Sequence, residues 1–199
     1  MNITENGTYN LLGKIITVNV QCSGSIPANS EIWYTSTDGN IVKPNNTSAL
    51  PTIVSNTYSG DKGIIKCASD ITRIGDRAFS NCSGLSSVII PNSVTSIGER
   101  SFSFCGGLTS IIIPNSVTSI ETNAFIECVG LTSVTIGNSV TNIGESAFSS
   151  CTSLASVIIG NSVKSIEKFA FGYCKSLRNI SYEDTITRWN AITKVARWN

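Results

Sequence analysis

A 23-residue unit recurs five times along this chain without an insertion or a deletion, and this constrains the fold more than any other feature. The clearest copy is residues 94–116, VTSIGERSFSFCGGLTSIIIPNS. A unit of this length cannot bury its apolar side chains alone, so neighbouring units must stack. The period therefore predicts a solenoid with one coil per full repeat, at residues 71–93, 94–116, 117–139, 140–162 and 163–185.

Some positions of the unit stay apolar or small in every copy, and these are expected to face inward. Position 1 is Ile or Val, position 4 is Ile, position 8 is Ala or Ser, position 9 is Phe, position 12 is Cys and position 15 is Leu. Positions 18 and 20 are apolar around a variable position 19, which is the period of two of a half-buried strand. The pattern predicts a right-handed coil with short parallel strands at residues 87–90, 110–113, 133–136, 156–159 and 179–182.

The same positions resemble a known family. Leu108-x-x-Ile111-x-Ile113 and its counterparts follow the leucine-rich-repeat strand consensus. The Ala-Phe pair, the Cys three residues after the Phe, and the S-V-T-S-I-G segment resemble the BspA-like leucine-rich-repeat surface proteins of anaerobic bacteria and some protists. The resemblance implies a β-rich α/β repeat solenoid that adheres to host proteins or other cells. It implies no particular ligand, because every shared residue is a core or corner residue.

The segment before the repeats differs in composition and predicts a cap. Residues 1–62 are interpreted as an N-terminal β-module and cap, with a hairpin turn at Asn6-Gly7 and short strands at residues 15–20 and 31–35. Residues 63–70 predict a half coil, since Ile65 falls in register with Val88, so the parallel ladder is expected to start one rung early. The solenoid is thus assigned to residues 63–185.

The register survives at Ile186 (position 1) and Trp189 (position 4) and then breaks. Residues 186–199 therefore predict a C-terminal cap, because a bare solenoid end would expose its core. Its apolar residues recur every three positions and predict a lid made of one short helix: Trp189, Ile192, Val195 and Trp198. The closing WNAI...WN pattern and the lead-in PANSEIWYTSTDG also resemble the ends of BspA-like arrays. The ITENGTYN...ITVNV stretch instead resembles a β-module of surface and phage-tail proteins of gut bacteria.

Charge and hydropathy argue against several classes of partner. The charged fraction is 14% and the net charge is +1, so no strong field favours nucleic acid or an anionic membrane. No apolar run approaches the roughly 20 residues that span a bilayer, and the first residues lack the features of an export signal. Either the protein is cytoplasmic, or Met1 replaces a signal that was removed. The resemblance favours a secreted or cell-surface protein.

Five of the seven cysteines lie one coil apart, and they predict a ladder of buried free thiols. Stacked coils place Cα atoms about 4.8 Å apart, but parallel side chains keep the Cβ atoms beyond the usual disulfide separation of about 3.5–4.5 Å. A metal site is not expected, because the chain has no C-x-x-C motif and no histidine. The ladder comprises Cys82, Cys105, Cys128, Cys151 and Cys174, and the redox state of Cys22 is left open.

The absence of histidine also removes most catalytic chemistry. Neither a Ser-His-Asp nor a Cys-His arrangement is available, and no imidazole acts near neutral pH. A pair of carboxylates remains formally possible, but the Glu residues of the repeats lie at corner positions in no repeated pairing. We therefore expect no enzymatic activity, no cofactor and no metal.

Asparagine at position 22 invites a glycan-binding interpretation. The series comprises Asn92, Asn115, Asn138 and Asn161. The expected role is structural, with each amide bonding the turn backbone of an adjacent coil and Asp184 ending the series.

Position 19 points away from the core and predicts the interaction surface. Contiguous apolar side chains on an exposed face favour docking, although self-association and a simple preference of strands for β-branched residues are alternatives. The candidate binding residues are positions 17 and 19: Ser87, Ile89, Ser110, Ile112, Ser133, Thr135, Ser156 and Ile158.

Three functional classes follow. The first is a surface interaction protein, monomeric or weakly self-associating, that binds a protein or glycan on host or neighbouring cells. The second is a receptor-binding or structural part of a phage tail or surface fibre, which a trimer in solution would favour. The third, a carbohydrate-active enzyme, requires two carboxylates that meet in a cleft.

Overall fold

The structure of this protein is a computed structural model that describes residues 7–11, 14–18, 27–195 and 197–199. Three features of the sequence lie outside the described residues: Asn6 of the expected turn, the last two residues of the strand expected at 15–20, and Cys22.

The described residues near the N-terminus form an antiparallel hairpin. β1 (Gly7–Leu11) pairs with β2 (Lys14–Val18), and Leu11 lies opposite Lys14. The strand expected at residues 15–20 is therefore confirmed over its described part. The turn expected at Gly7 is wrong, because Gly7 is the first residue of β1.

A four-stranded antiparallel sheet caps the N-terminal end of the solenoid. It contains β3 (Glu31–Ser36), β4 (Ile53–Ser59), β5 (Lys62–Cys67) and β7 (Leu85–Ile89), in the order β4-β5-β3-β7. A short 3-10 helix, Thr47–Ala49, precedes β4. The strand expected at residues 31–35 is confirmed, and its inward residues Ile32 and Tyr34 are buried.

The expectation that the parallel ladder starts one rung early, at Gly63, is wrong. β3 lies between β5 and β7, so Ile65 faces Ile32 in an antiparallel pair instead of Val88 in a parallel pair. Gly63 lies opposite Tyr34, and a Cβ atom there would lie 2.1 Å from the tyrosine ring. The inserted strand β3 covers the end of the core with two buried side chains, Ile32 and Tyr34.

The repeats form a parallel sheet on one side of the solenoid. Its strands are β9 (Ser110–Ile113), β11 (Ser133–Ile136), β13 (Ser156–Ile159) and β15 (Asn179–Tyr182). Each residue pairs with its counterpart one repeat away, as Thr135 does with Ile112 and Ile158. Four predicted strands are thus confirmed with their bounds. The first, expected at residues 87–90, is Leu85–Ile89 and belongs to the antiparallel cap sheet.

A second parallel sheet, which the periodicity did not predict, runs along positions 3 and 4 of the repeat. Its two-residue strands are β6 (Arg73–Ile74), β8 (Ser96–Ile97), β10 (Ser119–Ile120), β12 (Asn142–Ile143), β14 (Ser165–Ile166) and β16 (Thr193–Lys194). In β8, β10, β12 and β14 a serine or asparagine precedes a buried isoleucine, whereas β6 begins with Arg73 and β16 contains no isoleucine. The two sheets therefore close on one core between them.

The core is a set of columns that run the length of the solenoid. The phenylalanines of position 9 stack nearly parallel, with ring centres 5.0–5.3 Å apart and interplanar angles of at most 5°. This separation is close to the spacing of about 4.8 Å between neighbouring strands. The stacked residues are Phe79, Phe102, Phe125, Phe148 and Phe171.

The C-terminal segment begins with one short helix and then rejoins the solenoid. α1 (Ile186–Ala191) starts after Thr185, whose hydroxyl accepts from the Arg188 N–H at 3.4 Å. β16 then pairs with β14, so Thr193 lies opposite Ser165, 28 residues earlier instead of 23. A short helix is confirmed, but it spans residues 186–191, and Trp198 packs edge-on against Phe171 at 6.3 Å as part of an incomplete last coil.

Candidate interaction surface

The outward side chains of positions 17 and 19 form one exposed surface, which we call the strand face. Of its isoleucines, Ile112 is 69% exposed, Ile89 is 50% exposed and Ile158 is 37% exposed. Ser110 is also exposed, and the remaining candidates are half-buried: Ser87, Ser133, Thr135 and Ser156. The expected exposure of Ile89 and Ile112 is confirmed, while binding by these residues stays a prediction.

The rigidity of the strand face comes from the columns beneath it. Ile111 and Ile113 flank Ile112 in sequence and are at most 2% exposed. Their burial fixes the alternation of β9, so Ile112 cannot turn inward without a shift of register. The strand face is therefore a pre-formed surface of hydroxyl and branched apolar side chains, with Ile112 the most exposed of its isoleucines.

The N-terminal cap extends the strand face, and sequence reasoning missed this. Trp33 lies opposite Ile89 on one side and opposite Ile64 on the other. Directly opposed residues of antiparallel strands share a face of the sheet, so Trp33 and Ile64 point outward beside Ile89. The alternation of residues 31–36, EIWYTS, did indicate a strand with Trp33 on one face. Nothing in the sequence indicated that β3 pairs with β7.

Charged side chains surround Trp33. They are the only charged side chains in the described residues of β3 and β5. Lys62 Nζ lies 3.4 Å from the centre of the Trp33 ring, and the indole N–H donates to Glu31 at 2.8 Å. Lys66 forms an ion pair with Glu31 at 3.1 Å. The hydrogen bonds from Trp33 and Lys66 lower the pKa of Glu31, so this carboxylate stays ionised at neutral pH. Positions 17 and 19 themselves carry no charge.

The asparagines of position 22 border the strand face and hold adjacent turns together. The side-chain oxygen of Asn115 accepts from the Asn138 N–H at 2.7 Å, and that of Asn138 accepts from the Asn161 N–H at 3.0 Å. The structural role is confirmed for these two links. Asp184 instead accepts from the Thr185 N–H and from Arg188, so it belongs to the start of α1. An open groove of about 550 Å³ runs between Ile112 and these asparagines.

The ladder cysteines lie inside the solenoid, away from the strand face. Each thiol donates to a backbone carbonyl 26 to 39 residues earlier, as Cys105 does to Phe79 at 3.0 Å. Burial raises the pKa of Cys82 and of Cys174 to about 11. All five are free thiols in the structure, as is Cys67.

The acidic side chains of the repeats lie on the outer surface. Arg73 forms ion pairs with Asp76 at 2.8 Å and with Glu121 at 2.9 Å, and Arg100 pairs with Glu99. Within the described ranges, no three His, Cys, Asp or Glu side chains are grouped so that they could hold a metal ion. In the same part of the chain, no helix is long and apolar enough to cross a bilayer.

The repeat sequence and the fold both match those of known leucine-rich-repeat proteins. Residues 64–193 match the BspA type leucine rich repeat region in six copies, a match that extends beyond residues 71–185 at both ends. The chain belongs to this family. As a BspA-type leucine-rich-repeat protein, it has a fold that generally serves protein interaction. A comparison with curated proteins gave no match.

Three solved structures are similar to this BspA-type chain. A leucine rich cell surface protein of Faecalibacterium prausnitzii is 36% identical, with a TM-score of 0.60, over 63% of this chain and 33% of that one. A leucine-rich repeat protein of Bacteroides ovatus is 30% identical, with a TM-score of 0.54, over 69% of this chain and 34% of that one. A leucine rich repeat protein of T. pallidum is 25% identical, with a TM-score of 0.51, over 64% of this chain and 68% of that one. The chain thus spans about a third of the first two structures.

Proposed function

We propose that this chain is a non-enzymatic interaction module that binds a protein of host or neighbouring microbial cells through the strand face. The observation that carries the proposal is the row of exposed isoleucines on a rigid, uncharged sheet surface. An exposed row of this kind costs solubility unless a partner covers it. Trp33 adds a large aromatic anchor at one end, the type of residue that dominates binding energy at protein interfaces.

A protein partner fits this surface better than a glycan. The isoleucine side chains offer no hydrogen-bonding groups for sugar hydroxyls, the hydroxyl side chains of the strand face are half-buried except for Ser110, and one face of the Trp33 ring is covered by Lys62. The burial of branched apolar side chains is instead the main favourable term in protein association. The described relative of F. prausnitzii supports a cell-surface or secreted location, and adhesion is the activity we assign to that location.

The test is a binding screen of the purified chain against extracellular-matrix proteins, bacterial surface proteins and glycans, followed by a matched pair of variants. Ile112→Asp places a charge at the centre of the strand face, and we expect it to weaken binding of the identified partner about tenfold or more. Val129→Asp places the same charge at an exposed residue outside the strand face and should leave binding unchanged.

Folding of both variants is checked by melting temperature, since a charge in a parallel ladder carries some strand-propensity cost. If Ile112→Asp binds the partner as tightly as the parent chain, the strand face is not the binding site. A trimer in light scattering would instead favour the phage-tail or surface-fibre alternative.

A further inference from the structure

The C-terminal end of the solenoid is closed over only half of its cross-section. β16, Ile192 and Trp198 cover positions 1 to 9 of the last full repeat, where Ile166 and Phe171 are at most 1% exposed. In the other half, Trp189 packs against Tyr182 of position 20, with ring centres 5.5 Å apart, and no described strand covers positions 12 to 20. The half-buried side chains there are Cys174, Leu177, Ile180 and Tyr182, whereas their counterparts one coil earlier, Cys151, Leu154, Val157 and Ile159, are at most 1% exposed.

The backbone edge of β15 is free in the same half of the cross-section. The Asn179 N–H donates to Ala155 at 3.2 Å and the Glu183 N–H donates to Ile159 at 3.0 Å, both toward β13. Backbone groups alternate in direction along a strand, so the N–H and C=O groups of Ile180 and Tyr182 point away from β13. In the part of the chain that the structure describes, no strand pairs with this edge.

Two open hollows lie along this edge and share Ile180. One, of about 290 Å³, is lined by Tyr173, Leu177 and Arg178 among others. The other, of about 310 Å³, is lined by Tyr182, Ile186 and Trp189 among others. Because Ile180 lines both, the two hollows adjoin, and together we call them the end trough; Lys175, Arg178 and Asp184 lie at its edges. Ile186 and Tyr173, at 71% and 66% exposed, border it.

We propose that the end trough accepts an extended segment of another protein as an additional parallel strand. This interaction is separate from binding at the strand face and does not depend on it. The segment that fits is given by the solenoid itself, where every inner strand is covered by a neighbour in the same register. It has the pattern Leu-x-x-Val-x-Ile, because these three side chains would cover Leu177, Ile180 and Tyr182 as the next coil covers Leu154, Val157 and Ile159.

A second copy of the solenoid does not fit this end. β16 and Trp198 already occupy half of the layer next to β15, so an approaching complete coil would collide with them. A single extended segment fills only the open half. The free backbone groups of Ile180 and Tyr182 offer it two donors and two acceptors, which is the strand-addition mode of peptide recognition.

The test uses a peptide copied from the chain itself. The probe is residues 128–138, with Cys128→Ser and a fluorophore, SVGLTSVTIGN. We expect saturable binding to the full chain by fluorescence anisotropy. A control peptide with Val134→Asp and Ile136→Asp should bind about tenfold more weakly or worse, because it places charges against the core. A peptide with Thr135→Asp, a residue that faces outward, should bind like the probe.

The location is tested on the protein. Ile180→Pro removes an N–H that no described strand uses, and it should weaken binding of the probe about tenfold. Should this variant fail to fold, a photo-crosslinker at the Thr135 position of the probe decides: labelling next to β15 supports the proposal. The proposal is overturned by the absence of saturable binding, by equal binding of the probe and the Asp peptide, by unchanged binding to folded Ile180→Pro, or by labelling on the strand face.

Discussion

The phenylalanine stack offers a sharp test of how the coils hold one another, because Phe102 and Phe104 lie in the same coil in opposite environments. Phe102 is fully buried, with its ring centre 5.3 Å from that of Phe79 and 5.1 Å from that of Phe125. Phe104 is 43% exposed. Phe102→Ala and Phe104→Ala therefore remove the same atoms, one from the core and one from the surface.

We expect Phe102→Ala to lower the free energy of unfolding by about 4–5 kcal/mol, the upper part of the range for buried Phe→Ala changes. The cavity cannot collapse easily, because Phe79 and Phe125 are each held by their own coils. Two aromatic contacts, worth about 0.5–1.5 kcal/mol each, are lost with the ring. For a chain of this size the loss corresponds to a fall in melting temperature of about 8–20 °C. Phe104→Ala should change the free energy by no more than about 1 kcal/mol.

The assay is urea unfolding followed by far-UV circular dichroism and tryptophan fluorescence, with Phe102→Leu as an intermediate variant. The two probes also reveal whether the coils unfold together, which repeat proteins do not always do. The reasoning is refuted if Phe102→Ala costs less than about 1.5 kcal/mol, or if it costs no more than Phe104→Ala.

Three further predictions concern buried polar groups. Ser101 replaces the alanine of the other repeats at position 8, and its buried hydroxyl has no hydrogen-bond partner among the described residues. Ser101→Ala should therefore raise the free energy of unfolding by about 1 kcal/mol in the same urea assay. A destabilised variant would show that the hydroxyl does have a hydrogen-bond partner. Thiol titration under denaturing, non-reducing conditions should count at least the five ladder cysteines as free, and oxidation of three or more would contradict the packing argument. Because burial raises the pKa of Cys82 and Cys174 from 9.0 to about 11, the folded state holds these protons more tightly than the unfolded state. These two thiols should leave the free energy of unfolding unchanged below pH 9 and should lower it from about pH 9 to 11. A urea midpoint that stays flat between about pH 9 and 10.5 would disprove this link between thiol burial and stability.

The repeat unit alone determined the coil, its register and its inward columns. Positions 1, 4, 8, 9, 12, 15, 18 and 20 proved to be core positions in the inner coils, because a side chain that faces inward in one coil has the same neighbours one period later. Four strands could therefore be placed with their bounds, and Ile112 could be placed outward between Ile111 and Ile113. The same periodicity marked the cysteines as stacked thiols.

Only the tertiary structure decided what happens at the two ends, because the end segments have no second copy to compare with. Alternation predicted a strand near Trp33, but not that β3 would enter between β5 and β7 and turn Trp33 toward the strand face. At the other end, the register continues into Ile186 and Trp189 and then breaks, which predicted a lid made of one short helix. The helix α1 does form, but β16 then resumes the coil next to β14, so the core is closed over one half and Leu177 and Ile180 remain half-exposed on the other. Strand pairing is a contact between distant segments, and local sequence pattern fixes which face of a strand is apolar but not which neighbour it meets.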